Sequence, residues 1–183
     1  MNKPLLIIIL IIIYFLFIHK NEKFTNLVKK TQVDCPFCKG DGCTDCLNLM
    51  DFIKEFPTIQ HFYNALIETD VDDILKKKGP FTVFIPSQDA WEKIPPSKRS
   101  ALLKDKETLK NVIMYHIVPG RLMYAYIKDG TVNSISEKPI TIIKKDDTFL
   151  LNNKAKIMGK DILSNNGVIH MIDTVLLPSD VTI

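Results

Sequence analysis

The sequence predicts an α+β domain with its helices first and its hairpins after them. Apolar residues recur at spacings of three and four through most of residues 51–118, which is the helical period. From residue 140 onward they fall in short runs separated by Asp146-Asp147, Asn152-Asn153 and Asn165-Asn166-Gly167, the chemistry of tight turns. One β-rich run, Phe81-Thr82-Val83-Phe84-Ile85, interrupts the helical half. Helices followed by hairpins suit an α+β architecture better than a doubly wound sheet.

Taken in order, Phe52, Ile53, Phe56, Ile59, Phe62, Tyr63, Leu66, Ile67, Val71, Ile74 and Leu75 share one apolar face, and Pro57 divides them between two helical pieces. Lys76-Lys77-Lys78-Gly79-Pro80 ends these pieces with late positive charge, then Gly and Pro. The strand from Phe81 to Ile85 stops at Pro86, and Ser87 caps a short helix over Gln88 to Lys93 that Pro95-Pro96 terminates. Leu102, Leu103, Leu109, Val112, Ile113 and Ile117 lie on one face of a single helix from Leu102 to Val118, after which Pro119-Gly120 turns the chain. Strands follow at 140–143, 148–151, 155–158 and 168–177. Trp91, Phe81 and Phe84 read as core, and His170, between Ile169 and Met171, reads as a strand histidine facing the core or a polar partner.

These segments carry a family resemblance. Gly79-Pro80-Phe81-Thr82-Val83-Phe84-Ile85-Pro86-Ser87-Gln88-Asp89-Ala90-Trp91 resembles the first signature of the fasciclin (FAS1) family. Asn166-Gly167-Val168-Ile169-His170-Met171-Ile172-Asp173, with Val175-Leu176-Leu177-Pro178, resembles the second, and Tyr115-His116-Ile117-Val118-Pro119-Gly120 stands where the family has its Tyr-His segment. Ile85 and Trp91 occupy positions where Ala and Phe are common in the family, and one copy is present, over residues 51–180. The resemblance implies a β-wedge with a cap of helices, acting in cell adhesion or as a membrane-surface interaction module, with no catalysis. It also implies two partner-binding places. One is Lys160-Asp161-Ile162-Leu163, where a metal-dependent receptor would read the Asp161 carboxylate beside Ile162. The other is Tyr115-His116. Against both stands the plain structural reading, in which Asp161 caps a turn, Ile162 packs inward, and Tyr115 and His116 close a helix with their polar atoms satisfied.

The first fifty residues have a different character. From Leu5 to Ile18 every residue is apolar apart from the amphipathic Tyr14, with Lys3 and Lys20 on either side. At about 1.5 Å per residue this gives roughly 21 Å of helix, short of a hydrocarbon core of about 30 Å. No small-residue cleavage site follows the run, so residues 1–20 read as an uncleaved signal anchor forming a transmembrane helix, with lipid met through residues 5–18. The lysines at 20, 23, 29 and 30 tilt the C-terminal bulk weakly toward the cytosol by the positive-inside rule, whereas the family resemblance implies a domain outside the cytosol. Residues 21–50 form a juxtamembrane linker holding Cys35, Cys38, Cys43 and Cys46 at C-x2-C-x4-C-x2-C spacing. Three closures fit: one tetrahedral zinc, two local disulfides, or thiol redox chemistry at Cys35-Pro36-Phe37-Cys38. The stretch from Cys35 to Gly42 also resembles one cysteine-rich unit of the J-domain chaperones.

The formal charge is +3 over 183 residues, of which residues 1–50 carry six Lys against four acids and residues 51–183 carry 18 Lys+Arg against 17 acids. So balanced a domain argues against a nucleic-acid partner. The seven glycines of the whole chain leave little room for phosphate-cradling loops, and neither Gly-x-Ser-x-Gly nor His-Glu-x-x-His occurs. The expectation is therefore a membrane-anchored, non-enzymatic fasciclin-like module. It would contact a receptor, matrix or capsid protein, with no small-molecule substrate and no required cofactor beyond an optional zinc. The Lys/Ile/Asn-rich, glycine-poor style resembles membrane proteins of large DNA viruses, which would place the domain at a virion surface. The competing class is a membrane-tethered thiol oxidoreductase or zinc-binding factor built on Cys35 to Cys46.

Overall fold

The computed structural model describes residues 47–181. The anchor expected at 1–20 and the four-cysteine linker, with its zinc, disulfide and redox readings, lie outside the described residues. Among the described residues no helix is long and apolar enough to cross a membrane.

Helix α1 (Leu49–Glu55) starts two residues before the expected domain edge, because the Asn48 side chain accepts the Asp51 N–H at 2.9 Å and caps it. Pro57 ends that helix as its missing N–H requires, and a 3₁₀ turn, Pro57–Ile59, leads into α2 (Gln60–Glu68). Asp70, at a φ of 59°, then redirects the chain into α3 (Asp72–Leu75). Ser87 caps α4 (Gln88–Glu92) through the Ala90 N–H, as expected. The single helix expected from Leu102 to Val118 is instead two, α5 (Pro96–Lys104) and α6 (Lys106–Tyr115). Asp105 breaks it: its backbone is extended, and its carboxylate accepts both the N–H and the hydroxyl of Thr108. Pro96 does not merely end α4. It opens α5 at the first turn, where its fixed φ is helical already.

Strands β1 (Phe81–Pro86), β2 (Ile117–Pro119), β3 (Gly130–Asn133), β4 (Pro139–Lys145), β5 (Thr148–Leu151), β6 (Ala155–Ser164) and β7 (Gly167–Ile172) form one sheet in the order β2-β1-β7-β6-β5-β4-β3. Only β1 and β7 run parallel, in register from Phe81 opposite Gly167 to Pro86 opposite Ile172. Both are buried on both faces, which is why their sequences are near-continuous apolar runs, broken only by Thr82 and His170, instead of alternating ones. Val83, Ile85, Ile169 and Met171 meet the helices in one core that also holds Trp91, Phe62 and Leu109. Phe84 and Ile172 face the other way, into a second core with Ile140, Ile142, Phe149 and Leu151. The Ile135 N–H reaches the Ile117 carbonyl at 2.8 Å, so the far edge of the sheet curls back toward β2 and closes that core as a wedge.

Three further strand readings change. The short polar edge strand β3 lies before the first strand expected in this half of the chain. β6 runs on to Ser164 because its register shifts around Gly159 absorb an irregularity without ending the strand. β7 stops at Ile172, well before Leu177.

The two signature segments meet at one junction. The Asn166 carbonyl accepts the Phe81 N–H at 3.0 Å. Its side chain accepts the Leu49 N–H at 2.9 Å and donates to the carbonyls of Leu75 at 2.6 Å and Lys77 at 3.1 Å. The backbones approach so closely that a Cβ on Gly79 would lie 2.1 Å from the Asn166 oxygen, and one on Gly167 would lie 2.3 Å from the Phe81 oxygen. Glycine is required at both positions by this approach. Asn166→Ala removes three bonds between α1, the α3–β1 loop and the sheet, and is expected to cost about 2–4 kcal/mol. Urea unfolding measures this as a lowered midpoint at unchanged slope; a loss below about 0.5 kcal/mol would contradict the role given to Asn166.

Candidate functional site

Tyr115 and His116 end α6, and both are interior. Tyr115 is 3% exposed; its hydroxyl donates to the Pro139 carbonyl at 2.7 Å and accepts from the Asn152 amide at 2.8 Å, tying α6 to the β4 and β5 ends. His116 is fully buried, with its ring edge-on to Phe62 at 5.6 Å. Its Nε2 accepts the Leu176 backbone N–H at 3.0 Å, which requires that nitrogen to carry no proton. The proton therefore sits on Nδ1, which donates to the Val112 carbonyl at 2.7 Å. Burial pushes the His116 pKa down to about 4, and the Val112 carbonyl offsets only part of this. The polar atoms of Tyr115 and His116 are thus occupied inside the domain.

The second place divides in the same way. Ile162 is 2% exposed and packs into the helical core. Asp161 is half-buried at a φ of 51°, within the irregular part of β6, and its carboxylate accepts the Tyr124 N–H at 2.7 Å. The Asp161 N–H is directed at Nδ1 of His170 at 3.3 Å, while His170 Nε2 donates to the Leu122 carbonyl at 2.8 Å and the ring stacks on Phe84. His170 is the opposite tautomer to His116, and burial lowers its pKa against the pull of the Leu122 carbonyl and the Asp161 charge. Of the Asp-Ile pair, Ile162 is therefore interior and Asp161 half-buried. Asp161 instead works with His170 on a neighbouring loop.

That loop, residues 120–127, is held from every side. The Thr82 hydroxyl donates to the Gly120 carbonyl at 2.7 Å and accepts the Leu122 N–H at 2.9 Å. The Arg121 guanidinium donates to the carbonyls of Ser164 and Asn165. The Tyr124 hydroxyl donates to the Asp147 carbonyl, its ring meets Phe149 edge-on at 5.2 Å, and the Lys160 ammonium lies 3.9 Å from its centroid. A 3₁₀ turn over Tyr124–Tyr126 then points Tyr126 outward, 76% exposed, and Ile127 returns to the core. Beside the turn, Tyr124, Ile127, Lys128, Lys144 and Phe149 line an open groove of about 500 Å³. Sequence reasoning passed over Tyr126 and this use of His170. The only local signal was an aromatic pair, Tyr124 and Tyr126, in a segment with no periodic pattern. Among the described residues no group of three or more His, Cys, Asp or Glu side chains could hold a metal ion.

Residues 57–178 match the fasciclin domain model. The chain belongs to the fasciclin family. Its domain is 37% identical over 116 residues to protein sll1483 of Synechocystis sp., covering 62% of this chain and 64% of that protein. Against human periostin the identity is 30% over 135 residues, 73% of this chain but 16% of periostin. The chain therefore spans less than two thirds of either relative. Among solved structures it is similar to a FAS1 domain pair from the insect cell adhesion molecule fasciclin I, with a TM-score of 0.64, 18% identity, and 71% of this chain matched to 50% of that one. At that identity the likeness establishes the fold, the expected β-wedge with helices.

The neutral histidines make this fasciclin domain acid-sensitive. The folded His116 pKa, about 4, lies below the ordinary 6.5. Between those values the unfolded chain binds a proton that the fold does not, so stability falls as pH falls, by about 1.4 kcal/mol per unit. From pH 7 to about 5.5, above the carboxylate range, His116 alone is expected to cost about 1 kcal/mol, and His170 adds in the same direction. Urea midpoints across that range check this, with His116→Gln flattening the slope. Nitrogen NMR should find the neutral-ring proton on Nδ1 of His116 and on Nε2 of His170; the reverse assignment would contradict the bonding described.

Proposed function

We propose that this fasciclin domain is an adhesion and interaction module, presented at a cell or virion surface by an N-terminal membrane anchor, and that it makes protein contacts through the loop at residues 120–127. The observation that carries this is Tyr126, a 76% exposed aromatic on a loop fixed by bonds to Thr82, Asp161, Ser164 and His170. A large side chain presented on a rigid support loses little conformational entropy on binding, which is how interface anchors reach high affinity. The adhesion role of the insect fasciclin I supports the reading by kinship. The apolar run at 5–18 supports the anchor.

In this reading Asp161 is a positioning residue. Its carboxylate holds the Tyr124 backbone, so removing it lets the turn shift without removing a contact that the partner touches. Ile162, Tyr115 and His116 likewise serve by supporting the loop and the β-wedge behind it.

Attachment of cells to surfaces coated with the chain tests the proposal. Tyr126→Ala is expected to weaken attachment at least about tenfold, the size of an interface anchor of about 1.4 kcal/mol or more, with no change in unfolding midpoint. Asp161→Ala should weaken attachment less and lower the midpoint. Full attachment by Tyr126→Ala would remove the loop as the contact site, and full attachment by both variants would remove this end of the domain.

A further inference from the structure

We propose that the outer face of β4, β5 and β6 is a docking surface for an anionic bilayer. An antiparallel sheet with one solvated face ordinarily turns polar residues to water. Here the register sets Ile143 opposite Leu150 and Leu150 opposite Lys156, with Lys145 opposite Thr148 in the next row. Ile143 is 36% exposed and Met158 54% exposed, while the alternating partners Ile142, Phe149, Leu151 and Ile157 fill the core behind them. The result is an aliphatic strip framed by Lys145 and Lys156, with Lys160 at its margin over Tyr124.

Charge is concentrated on the same stretch. Residues 143–160 hold five lysines (144, 145, 154, 156 and 160) against Asp146 and Asp147 in the turn at one end. That local excess of three equals the formal net charge of the whole chain, +3. Lys145 and Lys156 make no ion pair among the described residues. Nearby carboxylates are engaged elsewhere: Asp129 accepts the Lys144 N–H, and Asp173 accepts the Lys156 N–H and pairs with Lys93.

The chemistry of the face selects its occupant. Protein interfaces are enriched in aromatics and arginine and depleted in lysine, and this face has lysine and aliphatics with no arginine and, apart from Tyr124 beneath Lys160 at the margin, no aromatic. Both arginines of the chain donate to backbone carbonyls elsewhere. A second copy brought face to face would set lysine against lysine. An anionic lipid surface fits both features, because lysines are drawn to acidic headgroups while Met158 and Ile143 enter the boundary beneath them. Position agrees with this. The chain enters the domain at Leu47, whose carbonyl accepts the Asn165 N–H at the β6–β7 turn, about 20 Å along β6 from Met158 at the strand rise per residue. Residues 19–46 can extend over tens of ångströms, so a run at 5–18 lying in a membrane leaves the face free to reach it. Each lysine adds only modestly to lipid binding, and tethering raises the effective concentration of a weak face.

Footprinting the full chain on vesicles of phosphatidylcholine, with and without phosphatidylserine, tests the proposal independently of anchoring. Amine acylation of Lys145 and Lys156 is read against Lys104 and Lys110 on the helical side, and oxidation of Met158 is followed in the same samples. The expected result is a fall in reactivity of about fivefold on phosphatidylserine vesicles only, reversed by salt, with the protection of Met158 from oxidation lost in Lys145→Glu/Lys156→Glu. If the chain fails to float with phosphatidylcholine, flotation with phosphatidylserine alone still supports the face, and flotation with neither overturns it. Equal reactivity on the two vesicle types overturns the docking surface while leaving the Tyr126 contact untouched. Met158→Ser should also weaken protection of the two lysines; unchanged protection in that variant would overturn the entry of the aliphatic strip into the bilayer boundary.

Discussion

The parallel pairing of β1 with β7 is the constraint on which the rest of this domain depends. The two strands lie more than eighty residues apart in the chain, and the other five strands of the sheet fall between them, β2 pairing beside β1 and β6 beside β7. Their alternation divides the molecule, sending Val83, Ile85, Ile169 and Met171 toward the helices and Phe84 and Ile172 into the wedge. The pairing holds its register because Gly79 and Gly167 let the backbones approach within a distance that any Cβ would prevent, and because Asn166 fastens α1 and the α3–β1 loop to the same point. These are the residues of the two family signatures, and their chemistry is that of a junction, not of a binding site.

The position of the loop at residues 120–127 follows from that frame. A strand buried on both faces must satisfy every polar group that it carries, and β7 carries His170. Its two ring nitrogens serve the Leu122 carbonyl and the Asp161 N–H, so a buried side chain becomes the support of a surface loop. His116 does similar work for the chain after β7 through Leu176. Both rings must stay neutral for these bonds, and burial keeps them neutral. The same burial that makes the loop rigid therefore also makes it vulnerable to acid.

The order of elements was legible in the sequence because the strongest signals are local. Pro57, Ser87, the β1 run and the Asn-Asn-Gly turn each act within a few residues, and each does what its chemistry requires. Asp105 was missed because Leu102, Leu109, Val112 and Ile113 stay on one buried side across the break, so the apolar pattern did not report it. The residues of the candidate site were less legible. Whether Ile162 faces in or out depends on register shifts around Gly159, and no linear motif specifies them. Tyr126 owes its exposure to tethers from residues about forty positions away on either side, Thr82 and Asp161 among them. Near-neutral domain charge concealed the lysines of 143–160, since balance over 133 residues says nothing of which face each charge occupies.

Native-state hydrogen exchange of the full chain tests the central claim most directly. If the β1–β7 pairing and its Asn166 junction hold the fold together, amides of those two strands should exchange only through global unfolding, with an opening free energy equal to that from urea. The β3–β4 hairpin at the sheet edge should open at a lower free energy. A result in which β1 and β7 open locally, while the hairpins stay protected to the global limit, would contradict the account.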